Sequence, residues 1–446
     1  MKKTSPILVA GCALALSAAM PAAAQDPALR DTVDLSLGQA LSIGLQENPT
    51  IIQSAADRAA SGAGLWSAYG KLLPQIGLQG SAQKTDEGSF VFFGTEFESP
   101  ASYSTAYQWD ITHSLLDAGR DLFRIRSARA DVDRRIAAYD NTALETVSEI
   151  KIQYLNARRE EGLVTQAELE MERRGAHLEM ADARHEVGAV TRSDVLQAQL
   201  SIHEGGVALL QARQRAAEAR LALRRLLGGA LPPGPIDLTS DFPVFEPQFD
   251  EDELVASALA GHPSLRESRA AERVGEAELW IARSAYLPTL QLQYSLARSV
   301  VDTLGFEFSD FDNRNFWAVS FNWPLFGRFE RYSQTSRARA GLVGARQEER
   351  RRALAIEEQV RVAYTRLVTA RAAHEVAAAR VELSGEDLRL AEGRYETGVG
   401  TFLDLLDARV RAGQAETDLI TSTYDFYLAL VALERATGLQ LFPERI

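Results

Sequence analysis

The sequence predicts an α+β membrane protein in which one unit is written twice, each copy joining very long α-helices to two β-strands. Three observations carry that reading. RHEVGAVTRSDVLQAQ at 184–199 returns 210 positions later as RYETGVGTFLDLLDAR at 394–409. Proline is absent from 101 to 231 and from 325 to 442, in stretches dense in Ala, Leu, Arg, Glu and Gln, the strong helix formers. Four short stretches alternate apolar and polar residues with period two, which is the strand signature.

The start of the chain reads as a secretory signal peptide, 1–24. MKK is its charged opening, ILVAGCALALSAAM its apolar core, and Ala22-Ala23-Ala24 its small-residue cleavage site. Cys12 is the only cysteine and lies inside this segment. Val9-Ala10-Gly11-Cys12 also resembles a lipoprotein box, in which Cys12 would be lipidated after cleavage. The 446 residues carry a formal net charge of −13, and loss of Lys2 and Lys3 makes the mature chain more acidic still. That balance argues against a nucleic-acid partner, because phosphate binding needs a basic face. Beyond the signal no run of roughly 18 apolar residues follows, so no transmembrane helix is expected.

The first repeat, 25–227, opens with a short helix at about 36–46 and a second of roughly 23 residues between Asn48-Pro49 and Leu73-Pro74. Pro suits the first helical position, and Asn48 caps there. Strands follow at 75–84 and 103–115, then a helix at 121–187, the tip 188–191, and a helix of roughly 36 residues ending at Gly228. GGALPPGPIDLTSDFPVFEPQ, 228–248, is a Pro- and Gly-rich crossover. The second repeat, 249–446, has the same order: helices at 250–260 and from Pro263 to Leu287-Pro288, strands at 289–297 and 315–323, a helix at 333–397, the tip 398–401, and a last helix to Gly438. Leu45, Pro49, Trp66 and Pro74 match Leu259, Pro263, Trp280 and Pro288 at an offset of 214. Such duplications define the fold before anything else does.

A helix of roughly 65 residues is about 100 Å long, too long to bury an ordinary globular core. It reads as a stave of a coiled coil or helical barrel. The two shorter helices of each repeat together come to about the same length, so stacked end to end they pack antiparallel along the long one.

In 103–115, Tyr103, Thr105, Tyr107, Trp109 and Ile111 share one face, opposite Ser104, Ala106, Gln108, Asp110 and Thr112. Leu290, Leu292, Tyr294 and Leu296 form a similar row, as do Trp317, Val319, Phe321 and Trp323. The lengths approach the roughly 9–11 residues needed to cross a bilayer at a tilt. Aromatics gather toward strand ends, and the other face is polar but mostly uncharged, as a water-filled lumen requires. Four strands cannot close a membrane barrel, and lipid tolerates no open edge. A membrane reading therefore forces oligomerisation: three chains give a pore, whereas two give an interior filled by side chains. The segments 85–102 and 298–314 then read as outward-facing loops.

With its duplicated helix–strand–strand–helix–helix unit, the LP ending the second helix of each copy, the SLLDAGR and PLFGR turns, and the VGAVTRSDV and TGVGTFLDLLDA tips, the chain resembles the TolC-type outer membrane efflux channel family. The resemblance implies a homotrimer in the outer membrane, with a 12-stranded β-barrel continued by a 12-helix periplasmic barrel. It implies a passive duct needing no cofactor. The implied partners are a periplasmic adaptor protein and an inner-membrane pump or ABC exporter, with outer membrane lipid around the barrel. The linker and both termini would form a belt around the tunnel.

At the tips, Gly188 and Gly398 stand where a helix C-terminus needs left-handed backbone. Thr191 and Thr401 read as N-caps, with Asp194 and Asp404 at the third helical position. Asp407 replaces Gln197 of the first copy and shares a helical face with Asp404. Repeated around a trimer, the two acids form stacked rings that bind and select cations. The resemblance places Asp404, Asp407, Asp194 and Tyr395 at the periplasmic constriction, and Gly188, Thr191, Gly398 and Thr401 where adaptor hairpins dock. Family members with a locked tip carry an arginine at the position of Gly400, so only a Tyr395–Asp194 part of that lock is expected and the resting tip is held less tightly. No HExxH, phosphate-binding loop or GxSxG occurs, and the histidines lack metal-ligand spacing, so neither catalysis nor a metal site is expected. The alternative is a periplasmic coiled-coil adaptor or structural protein without a membrane barrel, which shares long helices and a signal but needs neither full duplication nor bilayer-length strands.

Overall fold

The computed structural model describes residues 33–442, apart from 230, 232, 233 and 303. The signal segment 1–24 and Cys12 lie outside the described residues. The first half comprises β1 (Val33–Leu35), α1 (Leu37–Glu47), α2 (Pro49–Gly70), β2 (Gln75–Thr85), β3 (Gly88–Phe92), β4 (Thr95–Ser99), β5 (Ser102–Leu116), α3 (Arg120–Glu186) and α4 (Arg192–Leu226). The second comprises β6 (Ile236–Leu238), α5 (Glu251–Gly261), α6 (Pro263–Ser284), β7 (Thr289–Asp302), β8 (Asp312–Asn322), α7 (Glu330–Glu396) and α8 (Phe402–Thr437).

Helices α3 and α7 are each 67 residues long. Each starts behind two residues in left-handed backbone, Ala118-Gly119 and Arg328-Phe329. The Gly-Arg pairs of SLLDAGR and PLFGR are thus out of structural register: Phe329 (φ 66°) sits where Gly119 (φ 74°) does. A bulky side chain is strained in that region.

The short helices are joined into long staves by one residue in each half. Asn48 Oδ1 accepts from the Thr50 N–H and starts α2, while its Nδ2 donates to the Leu226 carbonyl at the end of α4. His262 does the same between α6 and α8. Its Nδ1 accepts from the Ser264 N–H, which leaves Nε2 to donate to the Arg435 carbonyl at 3.1 Å. Free helix ends need such partners, and here each end supplies the other's. The staves lie side by side, in the order α2, α3, α6, α7 near the strands and α4, α3, α8, α7 near the tips.

The strands form one antiparallel sheet in the order β2-β5-β7-β8. Its register places Ile111, Tyr294 and Trp317 in one row across the strands, and Asp110, Ser295 and Phe316 in the next. The apolar face is open to its surroundings: Ile76, Leu78, Trp317, Val319 and Phe321 are 58–69% exposed. Strand β7 runs past 289–297 to Asp302, and β8 begins before 315, at Asp312. The segment 85–102, read as a loop, carries the β3–β4 hairpin, turned by Phe93-Gly94 at φ 50° and 82°. SFVFFGTEFES supplies β-formers on both sides of a residue that tolerates positive φ. Among the described residues no helix is long and apolar enough to cross a membrane.

The main core forms a belt half-way down α3 and α7. Strands β1 and β6, far apart in sequence, pair in parallel there. Tyr154 of α3 is fully buried; its hydroxyl donates to the Leu35 carbonyl at 2.8 Å and accepts from the Ser240 N–H at 3.2 Å. Phe242 of the linker packs edge-on against Tyr154 and Tyr427. Lys151 and Glu434, both buried, meet at 2.5 Å. The second Glu434 oxygen accepts from the Leu441 and Phe442 N–H groups, at 2.6 and 2.9 Å, and so straps the C-terminal segment down.

Candidate functional site at the paired hairpin tips

Both tips turn by the same backbone chemistry. Gly188 and Gly398 each have φ 76°, just past a helix end. The Ala189 and Val399 N–H groups return to the Arg184 and Arg394 carbonyls, which would otherwise be orphaned. Thr191 and Thr401 cap the next helices. In each, the hydroxyl accepts from the acid's N–H while the Asp194 or Asp404 carboxylate accepts from the Thr N–H, at 2.8 and 3.1 Å. These are two complete capping boxes. Hydrogen bonds from the Thr401 hydroxyl and N–H hold the Asp404 carboxyl below its ordinary range.

Asp404 and Asp407 are exposed and three residues apart on α8. Among the described residues Asp407 has no hydrogen bond or ion pair, although Arg409 and Arg411 lie close by in sequence. Those arginines pair instead with Glu392 and Asp387 of α7. A free acid beside a capping acid presents two carboxylates on one helical face.

The expected Tyr395–Asp194 contact is not formed within the chain. Asp194 is committed to its capping box, and Tyr395 is buried with no hydrogen-bond partner for its hydroxyl. At Gly400 an added Cβ would lie 3.0 Å from the Arg394 Cβ and 3.2 Å from the Tyr395 nitrogen, so the turn has little room for a side chain.

At the tips, Arg184 ties the two hairpins together. From the last turn of α3 it donates to the carbonyls of Tyr395 and Glu396, at 3.0 and 3.2 Å, capping α7 across the interface. Its guanidinium also lies 4.7 Å from the Tyr395 ring centre. His177 sits one level deeper, 5% exposed, between Tyr395 and Phe402 at ring distances of 6.2 and 5.1 Å. Beside it is a cavity of about 20 Å³, lined also by Glu170, Arg174, Ser201 and Arg409, room for one water. Burial, then the Arg409 and Arg184 charges, lower the His177 pKa to about 4. Sequence reasoning missed both residues as tip elements. Arg184 recurred as Arg394 at the repeat offset, which was a usable signal; nothing local marked His177.

No cluster of three or more His, Cys, Asp or Glu side chains suited to a metal forms among the described residues. The arrangement offers turning, capping and a pair of exposed carboxylates at the end of a long helical layer.

The model of the outer membrane efflux protein family matches residues 40–229 and 254–439. Protein CyaE of Bordetella pertussis is 28% identical over 390 residues, spanning 84% of this chain and 78% of CyaE. Outer membrane protein TolC of Vibrio cholerae is 24% identical over 451 residues, spanning 98% of this chain and 96% of that one. Among solved structures, the Campylobacter jejuni CmeC outer membrane channel superposes with a TM-score of 0.76 at 17% identity, covering 90% of this chain and 85% of CmeC. The open state of the Neisseria gonorrhoeae MtrE outer membrane channel gives 0.74 at 20% identity, covering 90% and 88%. The structural likenesses show the fold; the family model covers the paired staves, the strands and both tips, and the chain belongs to the outer membrane efflux protein family, a family of channels in the outer membrane.

Proposed function

We propose that three copies of this chain close into a passive channel, whose strands form a 12-stranded barrel in the outer membrane and whose staves form a helical tunnel through the periplasm. In this reading 1–24 is the removed signal, and 25–227 and 249–446 are the two repeats joined by 228–248. The observation that carries it is a matching pair of open edges. The sheet ends at β2 and β8, with no further partner strand among the described residues. Below it, α4 exposes Leu196, Leu200, Val207, Leu210 and Leu221, each 52–67% open, the first four at helical steps of four, seven and three. On the opposite edge α7 exposes Val376, Leu383 and Leu390 at steps of seven. These are coiled-coil seams without a second helix. Two different edges on one chain make a head-to-tail contact, which closes as a ring. Three copies supply enough strands for an open pore, and two do not.

Energy comes from elsewhere: an inner-membrane pump or ABC exporter, joined through a periplasmic adaptor, feeds the duct. The adaptor docks at the tips, around Gly188, Thr191, Gly398 and Thr401. Asp404 and Asp407 form two acidic rings at the constriction. Asp194 stands at the same narrowing with Tyr395 buried behind it, and with Gly400 in place of an arginine the resting tip is held loosely.

Heat-modifiable trimers in outer-membrane fractions are the expected state; a soluble monomer in periplasmic extract would favour the adaptor reading instead. In planar bilayers the trimer is expected to prefer cations and to be blocked by divalent ions. Asp404→Asn/Asp407→Asn should remove both properties, and unchanged selectivity sinks the acid rings. A fully sealed channel, insensitive to Asp194→Ala and Tyr395→Phe, would refute the loose tip.

A further inference from the structure

The arginines of this acidic chain are used in two ways. Low on the staves many find a carboxylate: Arg266 with Asp140 at 2.7 Å, Arg269 with Glu349 at 3.2 Å, Arg361 with Glu251 at 2.8 Å. Next to the strands Arg124 pairs with Asp121 at 2.8 Å, but its neighbours do not find an acid among the described residues. Arg126 is exposed and has no partner among the described residues. Arg129 donates to the neutral Tyr69 hydroxyl at 2.9 Å. Arg120 donates to the Ser284 hydroxyl at 3.3 Å. Arg283 and Arg331 each lie 5.0 Å from an aromatic ring centre, Trp280 and Tyr286, and neither forms an ion pair among the described residues.

We propose that these arginines form a collar that binds the anionic headgroups of phospholipids in the periplasmic leaflet of the outer membrane. The inference rests on the reading of β2, β5, β7 and β8 as membrane strands. Arg120–Arg129 occupy the first ten residues of α3, so they lie within about 14 Å of the end of the sheet, at and just below headgroup depth. The collar is continuous with the apolar face. Trp323 follows Trp317, Val319 and Phe321 in that row, and its indole N–H donates to the Tyr286 carbonyl at 3.2 Å, on the residue whose ring Arg331 covers.

Between α3 and α6 the collar contains a groove of about 250 Å³. Phe123 and Trp280 stack in it at 5.5 Å, 9° from parallel. Among the described residues, of its three arginines only Arg273 has an acid, Asp133 at 2.9 Å; Glu276, which also lines the groove, is paired with Arg346 at 3.1 Å. Two uncompensated guanidinia over stacked aromatics suit a phosphate attached to an apolar body. A guanidinium meets phosphate through two parallel hydrogen bonds, and the rings cover the glyceryl and upper acyl carbons. Elsewhere the chain's net charge of −13 repels such a surface, so the collar's charge is a local feature rather than a consequence of composition.

The test uses the full-length protein, delipidated in detergent and titrated with phosphatidylglycerol or phosphatidylcholine, with bound lipid counted by native mass spectrometry. Phosphatidylglycerol should be retained in clear preference. Arg126→Gln and Arg283→Gln should each lower that retention about five-fold while leaving phosphatidylcholine unchanged. Unaltered heat-modifiable mobility checks that the variants fold. Equal retention of the two lipids, or a preference that survives both substitutions, overturns the collar. Displacement of the lipid by equimolar inorganic phosphate would also overturn it, since it would mark a free-anion site. A chain that inserts into no bilayer defeats the membrane reading as well, whereas one that inserts without headgroup preference defeats the collar alone.

Discussion

The two halves of the chain fold into the same helices and strands, yet they use different chemistry at equivalent points. The stave joint is Asn48 in one half and His262 in the other. The first tip carries Gln197 and Val190 where the second carries Asp407 and Gly400. At the belt, Glu434 takes the place that Arg224 holds at the repeat offset. Residues that serve the backbone, Gly188/Gly398 and Thr191/Thr401, are kept in both halves, because left-handed turns and helix starts admit few alternatives. Where the halves differ, each side chain can be tested separately.

The largest difference is expected at the belt. Glu434→Ala leaves Lys151 buried and unpaired and releases the C-terminal strap, a loss of about 3–5 kcal/mol by chemical denaturation. Arg224→Ala in the first half, which loses a donor to the Gly234 carbonyl, should cost far less. Equal costs would show that the strap adds nothing.

Acid should separate the tips next. His177 takes up its proton near 4 in the folded chain and near 6.5 when unfolded, so stability is lost as pH falls from 6.5 through 4. The full loss is on the order of 3 kcal/mol. His177→Phe should flatten that part of the pH profile. A profile identical in wild type and His177→Phe would remove His177 from the account.

The smallest effect concerns the stave joints. Asn48→Ala removes a cap and strands the Leu226 carbonyl, at a cost of about 1–2 kcal/mol. His262→Asn substitutes the first half's solution for the second's and should cost less than about 1 kcal/mol. Burial, opposed by the Arg435 carbonyl, lowers the His262 pKa, so the Asn form should also tolerate acid better. A His262→Asn chain as unstable as Asn48→Ala would mean the joints are not equivalent.

Much of this was legible before folding. Proline-free stretches marked α3 and α7, and Gly188, Thr191 and Asp194 announced their own turn and cap, because these are local backbone requirements. Alternation located the four main strands, but the ends of β7 and β8 extended further, since strand ends depend on the neighbour that pairs them. The β3–β4 hairpin escaped notice because its strands are short.

By itself, then, the sequence determined the duplicated order of helices and strands, the tip turns and the pair of acids on α8, all of which follow from neighbours a few residues apart. Only the tertiary structure decided that Arg184 would cap α7, that His177 would be buried between Tyr395 and Phe402, and that Asn48 and His262 would join separate helices into one stave. It likewise decided which arginines would remain unpaired beside the strands. Each of these depends on groups tens to hundreds of residues apart, and on which charges and carbonyls are left without a partner once the staves have packed.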